Sequence, residues 1–130
     1  MGGKGEGTSP EELLTLAVCA CFTATLFALL ARARLAVDRL EVAAQGRVAD
    51  YHGEHAHFAE VRVSPTVHGG EAERLEEYVK LACKARDRCF IGATLRGNVA
   101  YEVGEVTVEG RNGSDRVHAK CSAFAPAPAG

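Results

Sequence analysis

The sequence predicts one α+β domain built around a long apolar helix, and three observations point to it. The chain has 130 residues, 47% hydrophobic and 25% charged, enough for one core and not for two. Leu13 to Ala31 is a run of 19 residues without a charge. Beyond Leu40 come two alternating runs, an amphipathic helical stripe and another alternating run. A formal charge of −2 offers no broad basic surface, which excludes nucleic acid and an anionic membrane as partners and leaves small molecules or proteins.

Residues 1–8, "MGGKGEGT", lack periodicity and are expected to be a flexible lead-in. Ser9 can cap a helix, Pro10 suits its first position, and Glu12 completes a capping box, so a helix is predicted over 10–33. The run is long enough to span a membrane. Its three threonines, its alanines, and the acidic Glu11 and Glu12 in place of a basic flank favour instead a helix buried on nearly all sides, in a core or at a dimer interface.

From Leu40, Val42 and Ala44 alternate with Glu41 and Gln45, and residues 57–67 alternate through Ala59, Val61 and Val63. With "DYHGEH" between them, these runs form an antiparallel hairpin. Glu71 to Arg86 places Leu75, Tyr78, Val79, Ala82 and Cys83 on one helical stripe. "CFIGATLRGN" reads as a short helical turn, and 99–108 as a final strand. The apolar phase of that strand moves from odd positions (Val99, Tyr101, Val103) to even ones (Val106, Val108), which predicts a bulge near Gly104. The predicted order is α, β, β, α, β, with the domain over 9–109 and a disordered tail over 110–130.

Five cysteines, an odd number without CxxC spacing, argue against a secreted disulfide framework and a structural zinc site, and favour a reducing cytoplasm. Cys19 and Cys21 diverge by about 200° around their helix, so only one can face a given site. Cys83 on its stripe reads as a small hydrophobe, and Cys121 in the tail as a bystander. Cys21 and Cys89 remain. The local setting suits Cys89 as a thiolate, at a helix N-terminus and next to Arg88.

"TSPEELLTLAVCACFTATLFAL" together with "CKARDRCFIGATLRGNVAYEV" resembles the OsmC/Ohr family, the osmotically inducible and organic hydroperoxide resistance proteins, from about Thr8 to Val108. The resemblance implies an OsmC-like α+β fold with a long central helix, antiparallel strands and a second helix, assembled as an intertwined homodimer. It implies a peroxidatic thiol at Cys21, a resolving thiol at Cys89, hydroperoxide substrates, and recycling by a dithiol such as a lipoyl protein or small thiol. No metal, flavin or other cofactor is required for that chemistry. A dimer would also explain a helix apolar on every side. The family's acidic residue matches Glu11. Ten helical residues put it roughly 15 Å from Cys21, so it is expected to serve the partner's site or its own helix N-terminus.

The family also carries an arginine, on strands before this helix, that holds the reactive thiol as an anion, and nothing ahead of Ser9 matches it. Arg47, Arg62, Arg86, Arg88 and Arg96 are the candidate substitutes. Without a cation Cys21 is expected to titrate near or above about 8.5. The competing expectation is a catalytically degenerate OsmC-fold dimer that binds a small ligand. His52, His55 and His57 in "HGEHAH" read as a solvated turn, with metal binding as the alternative.

Overall fold

The computed structural model describes residues 9–50, 53–111 and 115–121. The expected lead-in over 1–8 and the end of the expected tail lie outside the described residues. Helix α1 runs Pro10–Arg32, opened by the capping box: the Glu12 amide donates to Ser9 Oγ (3.2 Å), and the Ser9 amide to Glu12 Oε1 (3.1 Å). It ends where Arg34 turns left-handed (φ 57°), letting the Leu35 amide donate back to the Leu30 carbonyl at 3.0 Å.

Within one chain α1 buries a stripe, Val18, Phe22, Leu26, Leu29 and Leu30, rather than its whole circumference. Leu13, Leu16 and Phe27 are 57%, 56% and 50% exposed, so of the two expected settings for the helix the core of a single subunit does not cover every side. The spacing explains it: positions four, eight, eleven and twelve after Val18 share a face, whereas Leu13, Leu16 and Phe27 fall off it.

Strands β1 (Arg39–Ala49) and β2 (His57–His68) form the antiparallel hairpin, with Leu40 opposite Val67 and Val42 opposite Pro65. The second helical segment starts later than expected, as a 3-10 turn at Ala72–Arg74 followed by α2 (Leu75–Arg88). The Glu71 amide donates to Tyr78 Oη (3.1 Å), and that buried hydroxyl donates to the Ala36 carbonyl (2.7 Å), which ties the start of α2 to the end of α1. Helix α3 (Phe90–Leu95) then leads into β3 (Ala100–Val103) and β4 (Glu105–Glu109).

Because the chain crosses over through α2 and α3, β3 and β4 both run parallel to β2. Glu60 pairs with Ala100, 40 positions on, and Thr66 with Thr107, 41 on, so one extra residue is inserted between the two strands. The break falls at Gly104, where the apolar phase changes. Its amide donates to the Val63 carbonyl at 2.7 Å, and a Cβ there would lie 2.6 Å from Ser64 Oγ.

The expected tail contains a fifth strand, which corrects its assignment as disordered over 116–120. Strand β5 (Arg116–Lys120) pairs antiparallel with β4, setting Val117 opposite Val108 and Ala119 opposite Val106. Five residues with two apolar side chains carry too little periodicity to be read amid glycine, alanine and proline. The sheet is therefore mixed, in the order β1, β2, β3/β4, β5. Both long helices cover one face, where Phe22, Leu26, Leu30, Tyr78 and Val79 pack with Val61, Val63, Val67, Val106 and Val108. The opposite face is polar, crossed by a row in which His68 lies between Glu41 (2.7 Å) and Glu109 (3.4 Å).

A two-thiol candidate active site

The divergence of Cys19 and Cys21 around α1 sends the two sulfurs to different neighbours. Cys19 Sγ turns to β1 and meets the Val42 carbonyl at 3.6 Å. Cys21 turns to the junction of α2 and α3, where its sulfur comes within hydrogen-bonding reach of Cys89 and of the Ile91 and Phe90 amides. Cys89 is fully buried and is at once the C-cap of α2 and the N-cap of α3, its extended backbone (φ −65°, ψ 113°) breaking one helix and starting the next.

The junction offers backbone donors to both sulfurs. The first bond inside α3 runs from the Ala93 amide to the Cys89 carbonyl (2.9 Å), so the amides of Phe90, Ile91 and Gly92 have no partner within the helix. Those of Phe90 and Ile91 act to lower the pKa of Cys21, and that of Gly92 to lower the pKa of Cys89. Three backbone donors without helical partners thus lie near two sulfurs.

Burial works against the Cys21 thiolate, but the Ile91 amide, the Cys89 thiol and the Phe90 amide outweigh it and hold the thiol below its ordinary value. Thr25 is also close, although its hydroxyl donates to the Cys21 carbonyl (2.8 Å) and must rotate to reach the sulfur. Backbone amides thus supply part of the stabilisation that a guanidinium would give Cys21. For Cys89 burial raises the pKa, the adjacent Cys21 raises it further, and the Gly92 amide and Tyr101 only partly compensate. Burial thus runs against the local reading of Cys89 as the thiolate. Neighbouring Arg88 is exposed, and Cys89 is not.

Tyr101 on β3 completes the cluster. Its hydroxyl is buried and, among the described residues, has no hydrogen-bond partner of standard geometry; it lies close enough to Cys89 to lower that thiol's pKa. Burial, then the neighbouring Cys89, push this phenol far above its usual value, so it stays protonated. Gly92 makes the packing possible, because a Cβ there would lie 2.1 Å from Tyr101 Cε2. The sequence marked Tyr101 only as an apolar position; a hydroxyl on the inward face of a strand after the second cysteine motif was the available signal. Gly92 and Tyr101 also line a recess of ≈ 100 Å³ with Arg86, Asp87, Arg96 and Val99.

Glu11 sits in the first turn of α1, which is continuous through Cys21, so the structure does not bring the two together within a chain. It lines a groove of ≈ 330 Å³ with Thr15, Leu16, Ala44, Gly46 and Phe58. Of the candidate arginines, Arg47 and Arg62 pair with Glu60 (3.4 and 3.1 Å), and Arg86 pairs with Asp87 (3.1 Å) and lies near Tyr101. Among the described residues no group of three histidine, cysteine or acidic side chains is poised for a metal; His52 lies outside them.

The remaining cysteines depart from their sequence reading. Cys83 on α2 and Cys121 at the end of β5 form a disulfide, with Cα atoms 6.0 Å apart at a sequence separation of 38. Cys83 is therefore more than a small hydrophobe, and Cys121 is not a bystander.

The molecule is an α+β domain in which two thiols approach each other at the start of a short helix. The OsmC-like protein model matches residues 3–104, and this chain belongs to that family. It is 30% identical over 106 residues to the uncharacterized protein YmaD of Bacillus subtilis strain 168, a match spanning 79% of this chain and 70% of that one. Among solved structures it resembles the organic hydroperoxide resistance protein OsmC of Legionella pneumophila (TM-score 0.65, 21% identity, 81% of this chain and 73% of that one). It is also similar to the organic hydroperoxide resistance protein OhrB of Bacillus subtilis (TM-score 0.59, 22% identity, 75% and 69%). These two share its fold.

Proposed function

We propose that the chain is a thiol-dependent peroxidase that reduces organic or inorganic hydroperoxides. The observation that carries this reading is the contact between Cys21, whose thiol is held low, and Cys89, whose thiol is held high. A nucleophile and a protonated second thiol are the two parts the chemistry needs. Family membership and the names of the structural neighbours support a redox role related to peroxides.

The Cys21 thiolate attacks the O–O bond of the hydroperoxide, forming a sulfenic acid, and the alkoxide leaves with a proton as alcohol. The Cys89 thiol then attacks the sulfenic sulfur. The S–O bond breaks, the departing oxygen takes the Cys89 proton and leaves as water, and a disulfide remains. An external dithiol, lipoyl-bearing or small, reduces it by exchange and is itself oxidised to a disulfide. Adding the steps, one hydroperoxide and two thiols give one alcohol, one water and one disulfide.

The working unit is a homodimer. The exposed Leu13, Leu16 and Phe27 on α1 and Phe90 on α3, 72% exposed, support an apolar face covered by a second copy. Glu11 acts across that boundary on the partner's thiol. Adding tert-butyl hydroperoxide to the reduced protein should give a Cys21–Cys89 disulfide within seconds, mapped by mass spectrometry. Unmodified Cys21 after an excess of oxidant would reject the proposal.

A further inference from the structure

We infer that Tyr101 is the positioning residue of the resolving step: its buried hydroxyl, lacking any other partner, is the donor that meets negative charge developing on the Cys89 sulfur. The inference rests on the two-thiol reading above and names a residue that reading does not use. Its geometry comes from three elements. Strand β3 pairs with β2 at Val61↔Tyr101 and so fixes the ring beneath the helix junction. Gly92 leaves the space into which the ring packs. The α2–α3 junction places the Cys89 sulfur in front of the hydroxyl.

A buried hydroxyl without a partner is costly and calls for an explanation. In the resting state the Cys89 thiol is neutral and a weak acceptor, so the phenol gains little from it. When Cys89 gives up its proton to attack the Cys21 sulfenic acid, the sulfur becomes a strong acceptor and the same hydroxyl makes a charge-assisted bond. The interaction is thus stronger on the way to the disulfide than before it, which is the condition for accelerating the step. Tyr101 donates a hydrogen bond and keeps its proton. The Cys89 proton leaves with the sulfenic oxygen as water, so the balance of the reaction is unchanged.

The test is Tyr101→Phe, which keeps the ring and removes the hydroxyl. Reduced protein is mixed with one equivalent of tert-butyl hydroperoxide, the Cys21 sulfenic acid is trapped with dimedone, and the Cys21–Cys89 disulfide is followed separately. The expected result is a sulfenic acid formed at the wild-type rate, a disulfide step slowed about tenfold at neutral pH, and a pH profile for that step displaced upward. Disulfide formation at the wild-type rate across the pH range overturns the inference, and so does an equal slowing of both steps, which marks a purely structural role. Residue-resolved iodoacetamide labelling of Cys89 against pH gives a reading independent of peroxide. Its midpoint must rise in Tyr101→Phe, and an unchanged midpoint overturns the inference. If wild-type Cys21 fails to react with the hydroperoxide, the peroxidase reading fails, and this labelling experiment alone decides for or against Tyr101.

Discussion

Cutting the Cys83–Cys121 link should loosen the segment that carries the second thiol. The loop closed by that disulfide holds the end of α2, Cys89, α3 and strands β3 to β5, so the whole resolving side of the site lies inside it. With the cysteines at a sequence separation of 38, loop-closure entropy gives a stabilisation of about 4 kcal/mol at 25 °C. Native strain and residual structure in the unfolded chain commonly reduce such values, so a loss of about 2 to 4 kcal/mol is expected. Against the roughly 5 to 15 kcal/mol of a typical domain this is a large share. Urea unfolding is followed by circular dichroism in a Cys21→Ser background, which cannot form the Cys21–Cys89 bond, comparing the oxidised form with its reduced form and with the added Cys121→Ser change. The two unlinked forms should agree with each other and unfold at lower urea. Hydrogen exchange should quicken over residues 89–109 more than over α1. Equal midpoints for linked and unlinked forms, within about 0.5 kcal/mol, would refute the argument.

Three further outcomes follow from the same geometry. Residue-resolved alkylation should show Cys21 titrating at lower pH than Cys89, so at neutral pH Cys21 is labelled first; the reverse order contradicts the assignment of roles. Gly92→Ala should displace the Tyr101 ring, costing about 1 to 3 kcal/mol of stability by thermal unfolding, with slower disulfide formation in the peroxide assay. Phe22→Ala, in the buried stripe, should cost about 3 to 5 kcal/mol in urea, whereas Leu16→Asp, exposed in the single chain, should leave the fold intact and shift sedimentation from dimer to monomer.

What the sequence disclosed depended on how local each feature is. The capping box of α1, the hairpin alternation and the phase change at Gly104 are written in residues close together, and each is seen where its pattern placed it. Strand β5 was not legible, because it becomes a strand only by lying against β4, and its two apolar residues gain meaning from Val106 and Val108. The Cys83–Cys121 link depends on that strand and was hidden with it. At the site, the resemblance paired Cys21 with Cys89, while local context suited Cys89 as the thiolate, against the direction in which burial shifts it. Burial of Cys89 and the aim of the α3 amides at Cys21 are properties of the packed junction, and no nearby residue in the chain announces them.

The amides at the start of α3 also bear on how this chemistry can be lost. An arginine that steadies an anion disappears with one altered codon, whereas a main-chain donor outlasts every replacement except one. Proline alone carries no N–H. At position 90, the first of its helix, a proline ring fits the backbone and deletes a single donor from Cys21 without breaking the turn. The anchoring of the sulfur is therefore shielded from nearly all point changes at 90 and 91, provided the helix keeps its place.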